Sequence, residues 1–149
     1  MRQRPSARLL VLDEQNRVLL FRFTFKEGAL AGSEFWATPG GELHSGESFK
    51  EAAQRELFEE TGIKIDTVGK YIAERKFLLT LPSGEQVDAQ ERFFVVRTED
   101  ARLTSDNQTD EERQVMTDYK WWHIEDLRLT SETVYPLGLP DILTKASVN

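Results

Sequence analysis

The sequence predicts a mixed α/β fold in one domain covering residues 1–149. Three features predict it. Apolar runs of strand length lie between Ala7 and Phe25. A capped helix fits between Ser48 and Gly62. Two further strand-length runs are joined by Pro82-Ser83-Gly84-Glu85. A chain of this length can bury a proper core.

Taken in order, Ala7 to Leu12 reads as an apolar strand, and Asp13-Glu14-Gln15-Asn16 supplies turn residues before a second strand, Arg17 to Phe25. Alternation on that strand puts Val18, Leu20, Arg22 and Thr24 on one face and Leu19, Phe21, Phe23 and Phe25 on the other. Lys26 to Ser33 reads as a loop. Ser48 followed by Glu51 is a capping-box signature that opens a helix, Ala52 to Leu57 are good helix formers, and Gly62 suits the left-handed position that ends it. Tyr71 to Leu81 and Gln86 to Arg97 are long enough to pair across the Pro-Ser-Gly-Glu turn. Thr98 to Thr117 is polar and reads as loop, and Pro140 to Lys145 reads as a closing helix with proline in its first turn.

Composition narrows the function classes. Net charge is −7, from 19 basic and 26 acidic residues, which argues against a broad nucleic-acid-binding surface. No apolar run is long enough to span a membrane. The absence of cysteine excludes a disulfide framework and cysteine metal sites, and with no apolar leader at the N-terminus the expected location is cytoplasmic. No repeat or low-complexity segment is visible.

The chemistry concentrates in Gly41-x5-Glu47-x7-Arg55-Glu56-Leu57-x-Glu59-Glu60-x-Gly62-Ile63. At about 100° per residue, Glu59 and Glu60 flank Glu56 on one helical sector, and Phe49, Ala52 and Ala53 share it. An acidic helix is ordinarily a solvated face. Here the carboxylates repel one another and crowd a helix C-terminus, where the dipole disfavours negative charge. Local stability does not explain that arrangement, whereas a bound cation does. Mg²⁺, with Mn²⁺ as a substitute, binds carboxylates on one side and phosphate oxygens on the other.

This segment resembles the signature of the Nudix hydrolases, Gly-x5-Glu-x7-Arg-Glu-U-x-Glu-Glu-x-Gly-U with U a bulky aliphatic residue, and every fixed position is matched. The approach Phe35-Trp36-Ala37-Thr38-Pro39-Gly40-Gly41 is similar to that of many members. The resemblance implies an α/β/α sandwich with a mixed sheet, and hydrolysis of a nucleoside diphosphate linked to a group X. In that reaction water attacks phosphorus with divalent cations present. The resemblance also implies that Glu56, Glu59 and Glu60, with the carbonyl of Gly41, are metal ligands, and that Glu47 and Arg55 form an ion-pair network around the helix. Arg55 is grouped with Glu59 and Glu112 as the catalytic set. The general base is either Glu59, within the signature, or Glu112, in the acidic triplet Asp110-Glu111-Glu112, which otherwise simply opens a helix. Relatives frequently form homodimers.

For the substrate, a small-molecule nucleotide derivative, Arg22 and Arg75 are the expected phosphate or X-group contacts, with Arg92 behind them. Trp36 is the candidate for stacking on a base, with a place in the core as its alternative. Of Trp121 and Trp122, alternation buries one. His44 and His123 lack metal-ligand spacing to a partner. Two other readings use the same scaffold. A sensor that binds a nucleotide without turnover has no need of three such glutamates. An isoprenoid diphosphate isomerase needs a cysteine that this chain does not have.

Overall fold

In a computed structural model that describes residues 1–148, the chain forms twelve elements. In order they are β1 (Gln3–Leu12), β2 (Val18–Thr24), β3 (Glu34–Ala37), β4 (Gly40–Glu42), α1 (Phe49–Thr61), β5 (Ala73–Thr80), β6 (Gln86–Arg97), α2 (Asp110–Val115), β7 (Met116–Trp122), α3 (Ile124–Leu129), β8 (Val134–Tyr135) and α4 (Leu139–Val148). The strands make one mixed sheet in the order β5-β6-β1-β2-β3-β8, with β4 paired to β1 and β7 to β2. The β1–β6 and β3–β8 pairs are parallel and the remaining pairs antiparallel.

Strand alternation builds a core on each side of this sheet. Ala7, Leu9 and Val11 of β1 and Leu19 and Phe21 of β2 face α1, where Ala52, Ala53 and Leu57 meet them. Leu10, Leu12, Val18 and Leu20 face the other way, against Leu127 of α3 and Leu139 and Leu143 of α4. Helices thus cover both faces of a two-sided apolar sheet, which is the expected α/β/α sandwich.

The predicted local signals are present. Ser48 and Glu51 cap α1 reciprocally, and Gly62 ends it at φ 79°, its N–H donating to the Phe58 carbonyl. The Asp13 carboxylate accepts from the N–H groups of Gln15 and Arg17 in the first turn. Pro82 to Glu85 closes the β5–β6 hairpin.

Other parts differ from expectation. β1 extends back to Gln3 because its polar start pairs in parallel with β6, from Gln3↔Asp88 onward. The stretch read as loop to Thr117 contains a six-residue helix, α2, and the start of β7. β7 is exposed along most of its length, so no apolar alternation announces it; pairing with β2 from Phe23↔Met116 to Val18↔Trp122 sets it instead. It still sends its tryptophans to opposite sides, Trp122 into the α3/α4 core and Trp121 against the α1 core.

Candidate active site

The buried stripe of α1 reads Ala52, Ala53, Glu56, Leu57, Glu60, Thr61. The two alanines let the helix approach β1 closely, and the same face then carries two carboxylates inward. Glu56 is 7% exposed and Glu60 2%. Their surroundings require glycine. A Cβ on Gly41 would lie 2.6 Å from Oε1 of Glu56, and one on Gly40 would lie 2.1 Å from the Ala7 carbonyl oxygen. The Gly40 N–H donates to Oε1 of Glu60 at 2.9 Å.

A third carboxylate arrives from a different element. Glu112 stands at the third position of α2, whose capping box with Thr109 fixes it. Two contacts tie the preceding loop to the end of α1, and Arg113 of α2 holds that loop in turn. Thr104 N–H donates to the Thr61 carbonyl at 3.0 Å, the Gln108 amide donates to the Glu60 carbonyl at 3.0 Å, and Arg113 holds the carbonyls of Ser105 and Asp106. Carboxylate oxygens of Glu56, Glu60 and Glu112 consequently lie within 4.8 Å of one another.

Glu59 stands apart from this trio. It is paired to Arg55 Nη1 at 3.4 Å on the flank of the helix. Arg55 also grips Glu47 with two parallel hydrogen bonds of 2.8 and 2.9 Å, reaches Glu56 at 2.9 Å, and donates to the Glu42 carbonyl at 3.0 Å. A guanidinium so fully engaged positions the helix against its loop.

Electrostatics follow from the geometry. Burial, then the charge of Glu56 and the hydrogen bond shared by the two carboxyls, then the charge of Glu112, push Glu60 well above the usual carboxylate range. Burial and the Glu56 charge raise Glu59 more modestly, with Arg55 opposing. Glu47 is held low by its hydrogen bonds to Arg55. A buried carboxylate cluster of this kind, all hard oxygen donors, fits a divalent cation.

Beyond the Thr38 turn from this cluster opens a cavity of about 610 Å³. Arg8, Arg75 and Glu91 line it, together with Phe35, Phe77 and Tyr135. The cavity and the carboxylates share a wall, because Arg8 pairs in register with Gly40 and donates to the Thr38 carbonyl at 3.2 Å.

Of the expected substrate contacts, Arg75 reaches the cavity. Arg22 does not line it; Glu34, at 2.7 Å, and Glu132, at 3.9 Å, take its guanidinium. Arg92 sits between Phe49 and Tyr71 and pairs with Glu74. Trp36 is a correction. It is 6% exposed, stands edge-on to Trp122, and donates its indole N–H to Glu132, so its ring belongs to the core and offers no platform to a base. Arg8 and Glu91 were not anticipated. The available signal was a lone arginine at an alternate position of an otherwise apolar strand.

A family model described as NUDIX domain matches residues 2–138, and the chain belongs to the Nudix hydrolase family. Among similar proteins, an RNA pyrophosphohydrolase of Pelagibacter ubique is 26% identical over 133 residues, which cover 83% of this chain and 78% of that one. A MutT protein from Methanosarcina mazei Go1 superposes with a TM-score of 0.71 at 23% identity, covering 99% of this chain and 94% of that one. The Nudix domain of Shewanella oneidensis NrtR, solved with ADP ribose, gives a TM-score of 0.68 at 16% identity, covering 100% and 90%. These likenesses establish the fold.

Proposed function

We propose that this chain, as one Nudix domain, hydrolyses the diphosphate linkage of a nucleoside diphosphate derivative with Mg²⁺ held by Glu56 and Glu60 beside Glu112. The observation that carries the reading is the convergence of three carboxylates from two separate elements to within 4.8 Å, two of them buried. When bound, Mg²⁺ supplies the positive charge that lets an acidic site accept a polyphosphate, polarises phosphorus and lowers the pKa of water.

The chain's own groups have distinct parts. Glu56 and Glu60 hold the cation from α1, with the Gly41 carbonyl beside them as a further ligand, and the Gly40 N–H orients the Glu60 carboxylate. Glu112, the least buried of the trio, takes the proton from the attacking water. Glu59 is the alternative base, and its pairing with Arg55 makes it the less available one. Arg55 keeps α1 and the Glu47 loop in register. The cavity lined by Arg75 receives the part of the substrate away from the reacting phosphorus.

The test is product formation from a panel assayed with Mg²⁺, with Mn²⁺ and with EDTA. It spans nucleoside triphosphates, nucleotide sugars, ADP ribose, dinucleoside polyphosphates and 5′-triphosphate RNA, the last suggested by the relative's name. Metal-dependent turnover of one class, abolished by EDTA, is expected. Nucleotide binding without turnover of any member would replace the hydrolase by the sensor.

A further inference from the structure

Resting on that reading, we propose that the Arg75 side of the cavity recognises the acceptor edge of a 6-oxopurine, so that guanine nucleotides are preferred over adenine, cytosine and uracil nucleotides.

A row of three charges crosses the cavity floor from strand to strand. Arg8 donates from Nε to Glu91 Oε2 at 2.9 Å, and Arg75 Nη1 lies 3.6 Å from Glu91 Oε1. Register sets one side of the row, since Arg75 faces Glu91 across β5–β6, and Arg8 reaches Glu91 diagonally, two residues past Ser6, which faces it across β6–β1. Two guanidiniums thus share one carboxylate that is 7% exposed. The two arginines are held differently. Arg8 is fixed by Glu91 and the Thr38 carbonyl. The contact of Arg75 with Glu91 is too long for a hydrogen bond, and none to another described residue accompanies it. Its guanidinium lies over the Phe77 ring at 4.6 Å, which fixes its place while leaving its donors to the cavity.

The remaining walls decide what those donors meet. Phe35 is locked in a stack with Phe23 and Phe25, and Tyr135 stands edge-on to it at 5.2 Å. Aromatic walls suit a flat heterocycle and would desolvate a phosphate or a sugar at high cost. The charge balance agrees: Arg8 and Arg75 are matched along the lining by Glu34 and Glu91, which leaves no surplus positive charge for a polyphosphate, and the cation at the carboxylates serves that instead. A planar arginine fork selects adjacent acceptors. Guanine and hypoxanthine present O6 and N7 side by side, whereas adenine and cytosine place an amino donor there, and uracil offers O4 alone.

The test titrates GMP, IMP, AMP, CMP, UMP and 7-deaza-GMP into the full chain in EDTA, where hydrolysis plays no part. GMP and IMP are expected to bind about tenfold or more tighter than AMP. 7-Deaza-GMP, which lacks the N7 acceptor, should fall to the AMP level without any change to the protein. Arg75→Ala and Arg75→Lys should both erase the preference, the lysine because it keeps the charge and loses the fork. Equal binding of GMP and AMP, undiminished binding of 7-deaza-GMP, a preference intact in Arg75→Ala or Arg75→Lys, or no binding of any monophosphate would each overturn the assignment. Equal kcat/KM on guanosine and adenosine diphosphate sugars would sink the base assignment and leave the hydrolase standing. A GMP preference without turnover of any substrate would do the reverse.

Discussion

Two buried charge clusters lie on either side of the Thr38–Gly41 segment, and they are built on opposite plans. On the α1 side Glu56, Glu60 and Glu112 converge, with Arg55 touching only the outer edge of the first. On the cavity side Glu91 sits between Arg8 and Arg75. The second cluster is close to electrically balanced and holds itself together. The first carries an excess of like charge, which proteins ordinarily relieve by separating the groups or by protonation. The excess suits the proposed cation, and the near balance suits the neutral part of the proposed substrate.

The sharpest way to break the comparison is to remove a carboxylate from the unbalanced cluster. Glu56→Gln or Glu60→Gln should lower kcat/KM by about 10³-fold or more at saturating Mg²⁺, because the lost charge stabilises mainly the transition state. Steady-state kinetics on the substrate found by the panel will show it.

Next in size is the general base. Glu112→Gln should lower kcat by about 10²-fold or more, and Glu59→Gln by less than about tenfold. The reverse order, read from single-turnover rates, would move the base to Glu59.

The clusters should then differ in the sign of a stability effect. Glu91→Gln leaves two half-buried guanidiniums without their carboxylate and should destabilise by about 2–3 kcal/mol. Glu60→Gln removes repulsion, so the metal-free protein should be as stable as the parent or slightly more so. Urea denaturation of both variants in EDTA would expose any shared sign.

A pH dependence sharpens the same contrast. The folded protein keeps a proton on Glu60 that the unfolded chain releases in the ordinary carboxylate range. Without metal, stability should therefore fall as pH rises from that range through the raised Glu60 pKa, and Glu60→Gln should flatten the fall. Glu47 acts in the other direction. Its pKa is lowered by Arg55, so its contribution is present above the ordinary range and is lost on acidification through the lowered value. Thermal melts in EDTA across pH, repeated with Mg²⁺, measure both limbs.

The smallest effect is expected at Arg22, outside both clusters and partnered by an exposed glutamate. Arg22→Ala should change stability by less than about 1 kcal/mol and kcat/KM by about twofold at most. A large loss of kcat/KM would return Arg22 to the substrate.

Legibility in the sequence tracks the range of the interaction. Ser48, Glu51 and Gly62 announced α1 because caps act within one turn. The Thr109–Glu112 capping box is the same kind of signal for α2 but went unread in a stretch that reads as loop, and the Glu112 carboxylate both caps its helix and joins the cluster. Alternation on β2 correctly assigned its two faces. β7 was hidden, since a mostly exposed strand has no apolar period to read. Trp36 was hidden too, because an aromatic beside a motif looks alike whether it lines a site or fills a core.

By itself the sequence determined α1 and its caps, and helical periodicity put Glu56 and Glu60 on one sector of it. It also concentrated carboxylates at a helix C-terminus, an arrangement that local stability does not explain. Only the tertiary structure decided that Glu112 and not Glu59 completes the cluster, that Trp36 belongs to the core, and that Arg8, Glu91 and Arg75 form one row. Those residues are far apart in the chain. Sheet register and the docking of the 98–109 loop bring them within a few ångströms, and neither is written in any local pattern.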